Sequence, residues 1–209
     1  MSDGSRSSEI SGVYLGLGSN LGDREANLQE ARERIEKLGH SILRASSIYE
    51  TEPVGYADQP WFLNQVIEVR LSSQTLSFET APDTIKDDPS TIAFLQAGDF
   101  LESLLDIERD MGRERIIVNG PRVIDIDLLL LGEMILAETT GLEMARAEII
   151  VPHPRMHLRR FVLEPLCEIA PDLIHPGTGK TISDLLAELN DPAIVRVYER
   201  KGGDLPDQH

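Results

Sequence analysis

The chain has 209 residues, 41% of them hydrophobic and 27% charged, with a net charge of −16 at pH 7. That length suits one ordinary domain with an ample core, and no apolar run approaches the roughly 20 residues of a membrane helix. The acidic balance disfavours a general nucleic-acid or acidic-membrane binder, and the single cysteine, Cys167, excludes an intramolecular disulfide and a Cys-rich zinc site.

The polar start MSDGSRSSEISG has no apolar signal-peptide core, so the expected location is the cytoplasm. Residues 1–11 are expected to be disordered. Val13–Leu17 reads as a first strand. Asn20, Asp23 and Glu25 resemble helix-start chemistry, Leu28, Ala31, Ile35 and Leu38 recur at helical spacing through Arg24–Leu38, and Gly39 is a stop signal. Ile42–Tyr49 is predicted as a second strand, Thr51–Pro60 as a Pro/Gly loop and Phe62–Leu71 as a third strand.

Residues 72–99 change character, being rich in Ser, Thr, Asp and Pro with one lysine, and read as a long surface insertion tacked down by Phe78, Ile85 and Phe94. Leu101, Leu104, Leu105 and Met111 mark a second helix. Arg113–Arg122 is a polar loop, Val123–Leu131 a strand, and the later part of residues 151–166 a helix. Ile182–Leu189 reads as a last short helix, Val195–Tyr198 as a strand, and 201–209 as a frayed tail. Residues 12–200 thus form one domain, and the short links favour a mixed or antiparallel sheet. No second catalytic domain is visible.

Arginine is concentrated in one stretch. Residues 109–160 hold eight arginines and eight acids, while the rest of the chain has twelve basic and twenty-eight acidic residues. The planar guanidinium fork suits phosphate oxygens, although surface ion pairing accounts for such a cluster equally well.

Within that stretch, VIDIDLLLLG (123–132) places Asp125 and Asp127 on one face of a strand, about 6–7 Å apart, with Ile124, Ile126 and Leu128 on the other. Two neighbouring carboxylates repel, and a hard cation between them removes that cost; Mg²⁺ commonly uses one or two carboxylates plus substrate phosphates. Taken alone, the pair also reads as a solvated strand face. The preceding loop, GRERIIVNGPR (112–122), adds Arg113, Arg115 and Arg122, with Gly120–Pro121 turning the chain just before Arg122. Carboxylates for metal and arginines for phosphate are what phosphoryl-type transfer needs, since its catalysis is positioning and charge neutralisation. The alternative is that the arginines merely neutralise the aspartates.

Two further segments belong with these. In VPHPRMHLRRF (151–161), His153 lies between two prolines and precedes Arg155, Arg159 and Arg160, so a phosphate contact competes with a structural role. In residues 49–69 a Pro/Gly loop leads into Trp61, Phe62, Leu63 and Asn64. Aromatic faces plus an amide grip a flat heteroaromatic ring, but aromatics at a strand start are also ordinary core. GLGSNLGD (16–23) lacks the dinucleotide-binding spacing and reads as a tight strand-to-helix turn.

In chain order, GLGSNLGD (16–23), SSIYETEPVG (46–55), QPWFLNQV (59–66), NGPRVIDIDLLL (119–130) and VPHPRMHLRRFVLEPLCEIAPDL (151–173) resemble the 6-hydroxymethyl-7,8-dihydropterin pyrophosphokinases of folate biosynthesis. The resemblance covers about Gly12–Leu189 apart from the insertion, and N-G-P-R-x-x-D-x-D is its most specific part. It implies an α+β fold, a single-domain α/β sandwich with a ferredoxin-like core. It also implies transfer of the β,γ-pyrophosphoryl group of ATP to the pterin hydroxymethyl oxygen, releasing AMP. By resemblance, Asp125 and Asp127 hold two Mg²⁺ ions, and Arg113 and Arg122 contact phosphates. Arg115 is an alternative to Arg113, because the loop is one residue shorter than in some relatives. Glu108, His153 and Arg159 fall at nucleotide-contact positions. Phe62 and Phe161 stack on the pterin, Asn64 bonds its ring edge, and Thr51 and Val54 offer backbone groups.

The implied ligands are ATP and the pterin. A monomer is expected, with no nucleic-acid or membrane partner and with other folate enzymes only as metabolic neighbours. Two departures stand out: Asn119 replaces a tryptophan found in some relatives, and the insertion at roughly 78–98 interrupts a link that is usually short. Two readings compete with the enzyme. One is a non-catalytic ligand-binding relative, which loss of a carboxylate or of Arg122 would have marked. The other is a nucleic-acid-binding module, which the charge disfavours.

Overall fold

The computed structural model describes residues 12–56, 58–72, 89–113, 120–137 and 150–200, with backbone only for 89–94. The chain runs through β1 (Val13–Ser19), α1 (Arg24–Lys37), β2 (Ser41–Ala45), β3 (Tyr49–Thr51), β4 (Phe62–Arg70), α2 (Pro89–Asp110) and β5 (Asp125–Leu131). It continues through β6 (Leu136–Ala137), β7 (Ile150–Val151), a 3₁₀ turn at Met156–Leu158, α3 (Arg160–Ile169), α4 (Ile182–Glu188) and β8 (Val195–Val197).

β1 lies inside the main sheet, antiparallel to β4 on one side and β5 on the other. β3 pairs with the start of β4, and β2 pairs with its end on the same edge. β8 then adds beyond β3, giving the order β5-β1-β4-β3-β8, while β6 and β7 form a separate two-stranded ribbon. No helix among the described residues is long and apolar enough to cross a membrane.

The strand period of two builds two apolar layers. Val13, Leu15 and Leu17 of β1 pack in one buried cluster with Leu28, Ala31 and Ile35 of α1 and with Phe100 and Leu104 of α2. Tyr14 joins the second cluster, with Val66, Leu129 and the α3 residues Val162, Leu163 and Leu166. The sheet is therefore sandwiched between α1/α2 and α3/α4. At α1, the Asp23 side chain accepts the Ala26 N–H, and Gly39, at φ 89°, takes the left-handed conformation that ends the helix.

Three expectations are corrected. Residues 89–99 are helical, because α2 begins at Pro89 rather than near Leu101. Proline is favourable in the first turn of a helix, and Ala97, Phe100, Leu104 and Ile107 recur at helical spacing on a buried face. The polar composition of the stretch hid that spacing. Phe78 and Ile85 and the side chain of Phe94 lie outside the described residues. The predicted second strand is two strands, broken at Ser46–Ile48. There the Ser46 hydroxyl accepts the Val66 N–H, and Gln65 donates to the Ser46 carbonyl, so side chains replace part of the ladder. Finally, within GLGSNLGD the first strand runs past Leu17 through Gly18 to Ser19, so that only Asn20–Asp23 makes the expected strand-to-helix turn.

Candidate active site

On the α3-facing side of β1, Tyr14 is followed by Gly16 and Gly18. Gly16 stands between Val66 of β4 and Asp127 of β5; Gly18 stands between Asn64 and Asp125. The two missing side chains leave the floor of a cavity of about 770 Å³. A Cβ on Gly18 would lie 2.8 Å from the Asn64 side-chain oxygen, so the floor is open only because the residue is glycine.

Every residue to which the family resemblance gives a site role lines this one cavity, except Arg115, which lies outside the described residues together with Asn119. The carboxylates form one wall. Their alternation along β5 follows the expected strand period as far as Leu128; a register shift then turns both Leu129 and Leu130 toward α3. Burial, and next the neighbouring Asp125, push the Asp127 carboxyl up to about 7.

The arginines converge on Asp125. Arg113 pairs with one of its oxygens and Arg122 with the other, at 3.2 Å. Arg113 also pairs with Glu108, whose carboxylate accepts the Ile126 N–H at 2.6 Å. Burial raises the Glu108 pKa, against the lowering effect of Arg113 and the Ile126 N–H. The Arg122 guanidinium lies 5.2 Å over the Phe62 ring, and its Nε is buried with no hydrogen-bond partner among the described residues. An unmatched buried donor among carboxylates and arginines is chemistry that an anionic oxygen would complete.

His153 is held by its N–H donating to the Leu129 carbonyl, and its Nδ1 accepts the Arg155 N–H. Nε2 is then the nitrogen left to carry the ring proton. Burial, and next Arg159 and Arg155, lower its pKa to about 4, so the ring is a neutral donor at neutral pH. Arg159 is itself partly buried, which lowers its pKa, and lies 5.4 Å over Phe161.

Opposite the carboxylates, Phe62 and Phe161 supply ring faces. Asn64 donates to the Thr51 hydroxyl at 2.7 Å, which fixes its amide and leaves its oxygen toward the cavity floor. Val54 lies at the rim, 49% exposed. Trp61 does not join the lining: Arg196 lies 5.0 Å over its ring, and its carbonyl accepts from Arg24. Arg160 is likewise diverted, to Glu164 and to the Asp191 carbonyl.

The cavity also contains apolar residues that motif reasoning missed. Leu101 and Leu105 of α2, with Ile150 and Pro154, line the end near His153 and Glu108. In the sequence the two leucines are indistinguishable from core. Gly16 and Gly18 carried a usable signal, since glycines two apart on a strand open one face.

Among the described residues no group of three or more His, Cys, Asp or Glu could hold a metal. Asp125 and Asp127 are carboxylates on the same wall of the cavity. Two hard oxygen donors, one with an ionisation penalty that a cation would relieve, fit Mg²⁺ completed by substrate phosphates and water.

The sequence model described as 7,8-dihydro-6-hydroxymethylpterin-pyrophosphokinase (HPPK) matches residues 14–88 and 90–171. The chain is 36% identical over 192 residues to the 2-amino-4-hydroxy-6-hydroxymethyldihydropteridine pyrophosphokinase of Bacillus subtilis, covering 91% of this chain and 92% of that one. It is 36% identical over 189 residues to the Pseudomonas aeruginosa protein of the same name, covering 90% and 98%. It is also 33% identical over 196 residues to the Folic acid synthesis protein fol1 of Pneumocystis carinii; that match covers 92% of this chain but spans 22% of the fungal protein. Among solved structures, a Plasmodium falciparum HPPK-DHPS shares the fold with a TM-score of 0.54 at 16% identity, over 86% of this chain and 45% of that chain. With the fold, the cavity and these relatives in agreement, the chain belongs to the 7,8-dihydro-6-hydroxymethylpterin-pyrophosphokinase family, ATP-dependent diphosphotransferases of folate biosynthesis.

Proposed function

We propose that the cavity floored by Gly16 and Gly18 is the catalytic centre, taking Mg²⁺-ATP against β5 and the hydroxymethyldihydropterin against β4 and α3. The observation that carries this reading is the single cavity with two chemically different walls. Asp125, Asp127, Arg113, Arg122, Arg159 and His153 make a charged wall, and Phe62, Phe161 and Asn64 make an aromatic wall with one amide.

The pterin ring lies between Phe62 and Phe161, with Asn64 on its edge and the backbone of Thr51 and Val54 at the rim. The purine lies against Leu101, Leu105 and Ile150, beside Glu108. Arg122 offers its unmatched Nε to a phosphate oxygen, Arg159 neutralises the triphosphate from α3's side, and the neutral His153 ring donates its Nε2–H to a phosphate oxygen. The pterin hydroxymethyl oxygen attacks the β-phosphorus and gives up its proton to water. The bond from that phosphorus to the oxygen shared with the α-phosphate breaks, and the charge leaves on AMP. Asp125 and Asp127 would hold two Mg²⁺ ions. When bound, these supply charge neutralisation and acidify the attacking hydroxyl, so no side-chain base is needed.

Arg113 and Arg122 both pair with Asp125. Phosphates are better partners for both guanidiniums than a carboxylate claimed by a metal ion. The path β1-α1-β2/β3-β4-α2-β5, with α1 and α2 on one face, supports a ferredoxin-like core in which β2 and β3 together act as one strand. Residues 12–200 are read as one domain acting as a monomer.

The test is a product analysis with ATP, Mg²⁺ and the hydroxymethylpterin. AMP with the pterin diphosphate is expected; ADP, or no turnover, would sink the reading. Phe161→Ala should raise the pterin KM and leave the ATP KM nearly unchanged.

A further inference from the structure

Asn20 is 2% exposed and sits just after β1, where the sequence suggested only the start of α1. Its hydrogen bonds do something else. Its backbone N–H donates to the Arg122 carbonyl at 3.1 Å, and its side-chain oxygen accepts the Arg122 N–H at 2.7 Å. Its side-chain nitrogen donates to the Gln59 side chain and to the Pro60 carbonyl, both at 3.0 Å. One buried residue thus holds two loops that lie 102 and about 40 positions away in the chain. The Arg122 loop leads into β5 and its carboxylates, and the Gln59–Pro60 loop leads into Phe62.

The turn carrying Asn20 is itself anchored. Asn27 donates to the Ser19 hydroxyl and the Leu21 carbonyl, and Arg24 donates to the Trp61 carbonyl. Gln59, Pro60 and Arg122 are not among the residues of either apolar cluster. The direct contact of Arg122 with the Phe62 ring crosses the same gap.

We infer that Asn20 is a positioning residue that fixes the distance between the phosphate-binding arginine and the acceptor-binding loop. The proposal rests on the roles assigned above to Arg122 and Phe62. The two halves of the Asn20 amide do different jobs. The oxygen holds the phosphate side, and the nitrogen holds the acceptor side. Displacements of about 1 Å between reacting groups can cost on the order of a hundredfold in rate.

Asn20→Asp separates the halves, since it keeps an oxygen for the Arg122 N–H and loses both donors to Gln59 and Pro60. Steady-state kinetics in both substrates, below the melting temperature of each protein, should show kcat reduced at least about tenfold and the pterin KM raised, with the ATP KM within about twofold. Gln59→Ala, which cuts one of the same bonds from the loop side, should move the same two constants in the same direction by a smaller factor. It also decides the question if Asn20→Asp does not fold. Unchanged kcat and pterin KM in the folded variants, with only a lower melting temperature, would overturn the proposal. Arg122→Ala serves as the reference. If it retains wild-type turnover, the site assignment fails; if it is inactive while Asn20→Asp and Gln59→Ala turn over normally, only the positioning role fails.

Discussion

Gly18 and Asn64 face each other across the β1–β4 ladder, and a Cβ on Gly18 would reach within 2.8 Å of the Asn64 oxygen. Asn64 cannot swing freely aside, because its nitrogen is bonded to Thr51. Gly18→Ala should therefore either displace the amide or push β1 from β4, at a cost of about 1–3 kcal/mol for overpacking. The expected kinetic result is a pterin KM raised roughly tenfold, since a misplaced amide leaves a buried polar group unmatched against the ring edge. An unchanged pterin KM in a folded variant would show that Asn64 does not read the acceptor.

Most of the strand and helix plan was legible because its signals are local. Val13–Leu17 and Phe62–Val69 are stretches of strand length rich in aliphatic and aromatic residues, and α1 shows both its spacing and its cap. α2 was half hidden because Pro89, Ser90 and Thr91 look like loop composition, although a helix tolerates them at its start. The carboxylates were legible from their spacing on β5. Arginine–aspartate pairing was one of the readings the sequence left open; that Arg113 and Arg122 meet on the same carboxylate, Asp125, was not legible, since it depends on which side chains come together in space. Asn20 was the largest omission: its partners lie far away in the chain, and no spacing rule links a residue to Arg122 and Pro60 together.

Arg113 bridges Glu108 and Asp125, so it acts as the resident counter-cation of a carboxylate assigned to metal. Arg113→Ala should open that carboxylate. Mg²⁺ or Mn²⁺ affinity in the absence of nucleotide should rise several-fold, because the competing charge is gone. Turnover should fall by roughly 10²-fold or more if the same guanidinium serves the phosphates. Calorimetric metal titration paired with steady-state kinetics checks both halves. Weaker metal binding in the variant would mean that Arg113 supports the carboxylate geometry rather than competing for it.

Asp127 carries an ionisation penalty from burial and from Asp125. Its folded-state pKa stands above the unfolded value, so the native state holds a proton that the unfolded chain has lost. That contribution to stability is complete below the unfolded value and fades as pH rises through about 7. Asp127→Asn has no proton to lose. In chelator at pH 8 the variant should melt a few degrees above the parent, with the gap closing toward pH 4. Its turnover should drop by at least about a hundredfold. A variant that melts lower than the parent at pH 8 without metal would remove the argument that the site is destabilised until a cation arrives.

His153 gives the opposite slope. Its folded pKa of about 4 lies below the value of an unfolded histidine, so between those limits the unfolded chain binds a proton that the native ring refuses. Stability from this residue is full above about 6.5 and is lost as pH falls toward 4. His153→Gln keeps a donor without a titrating group. The melting temperature of the parent, measured against the variant at matched pH, should fall steadily from pH 6.5 to 4 and run parallel above 7. The neutral ring also predicts that the acid limb of the kcat profile is the same in both proteins, even where the variant's ATP KM is raised. A difference in melting temperature that does not change with pH would mean that the native ring takes up its proton as readily as the unfolded chain. The positive charge would then be available to the triphosphate, and His153 would act as a cation rather than as a neutral donor.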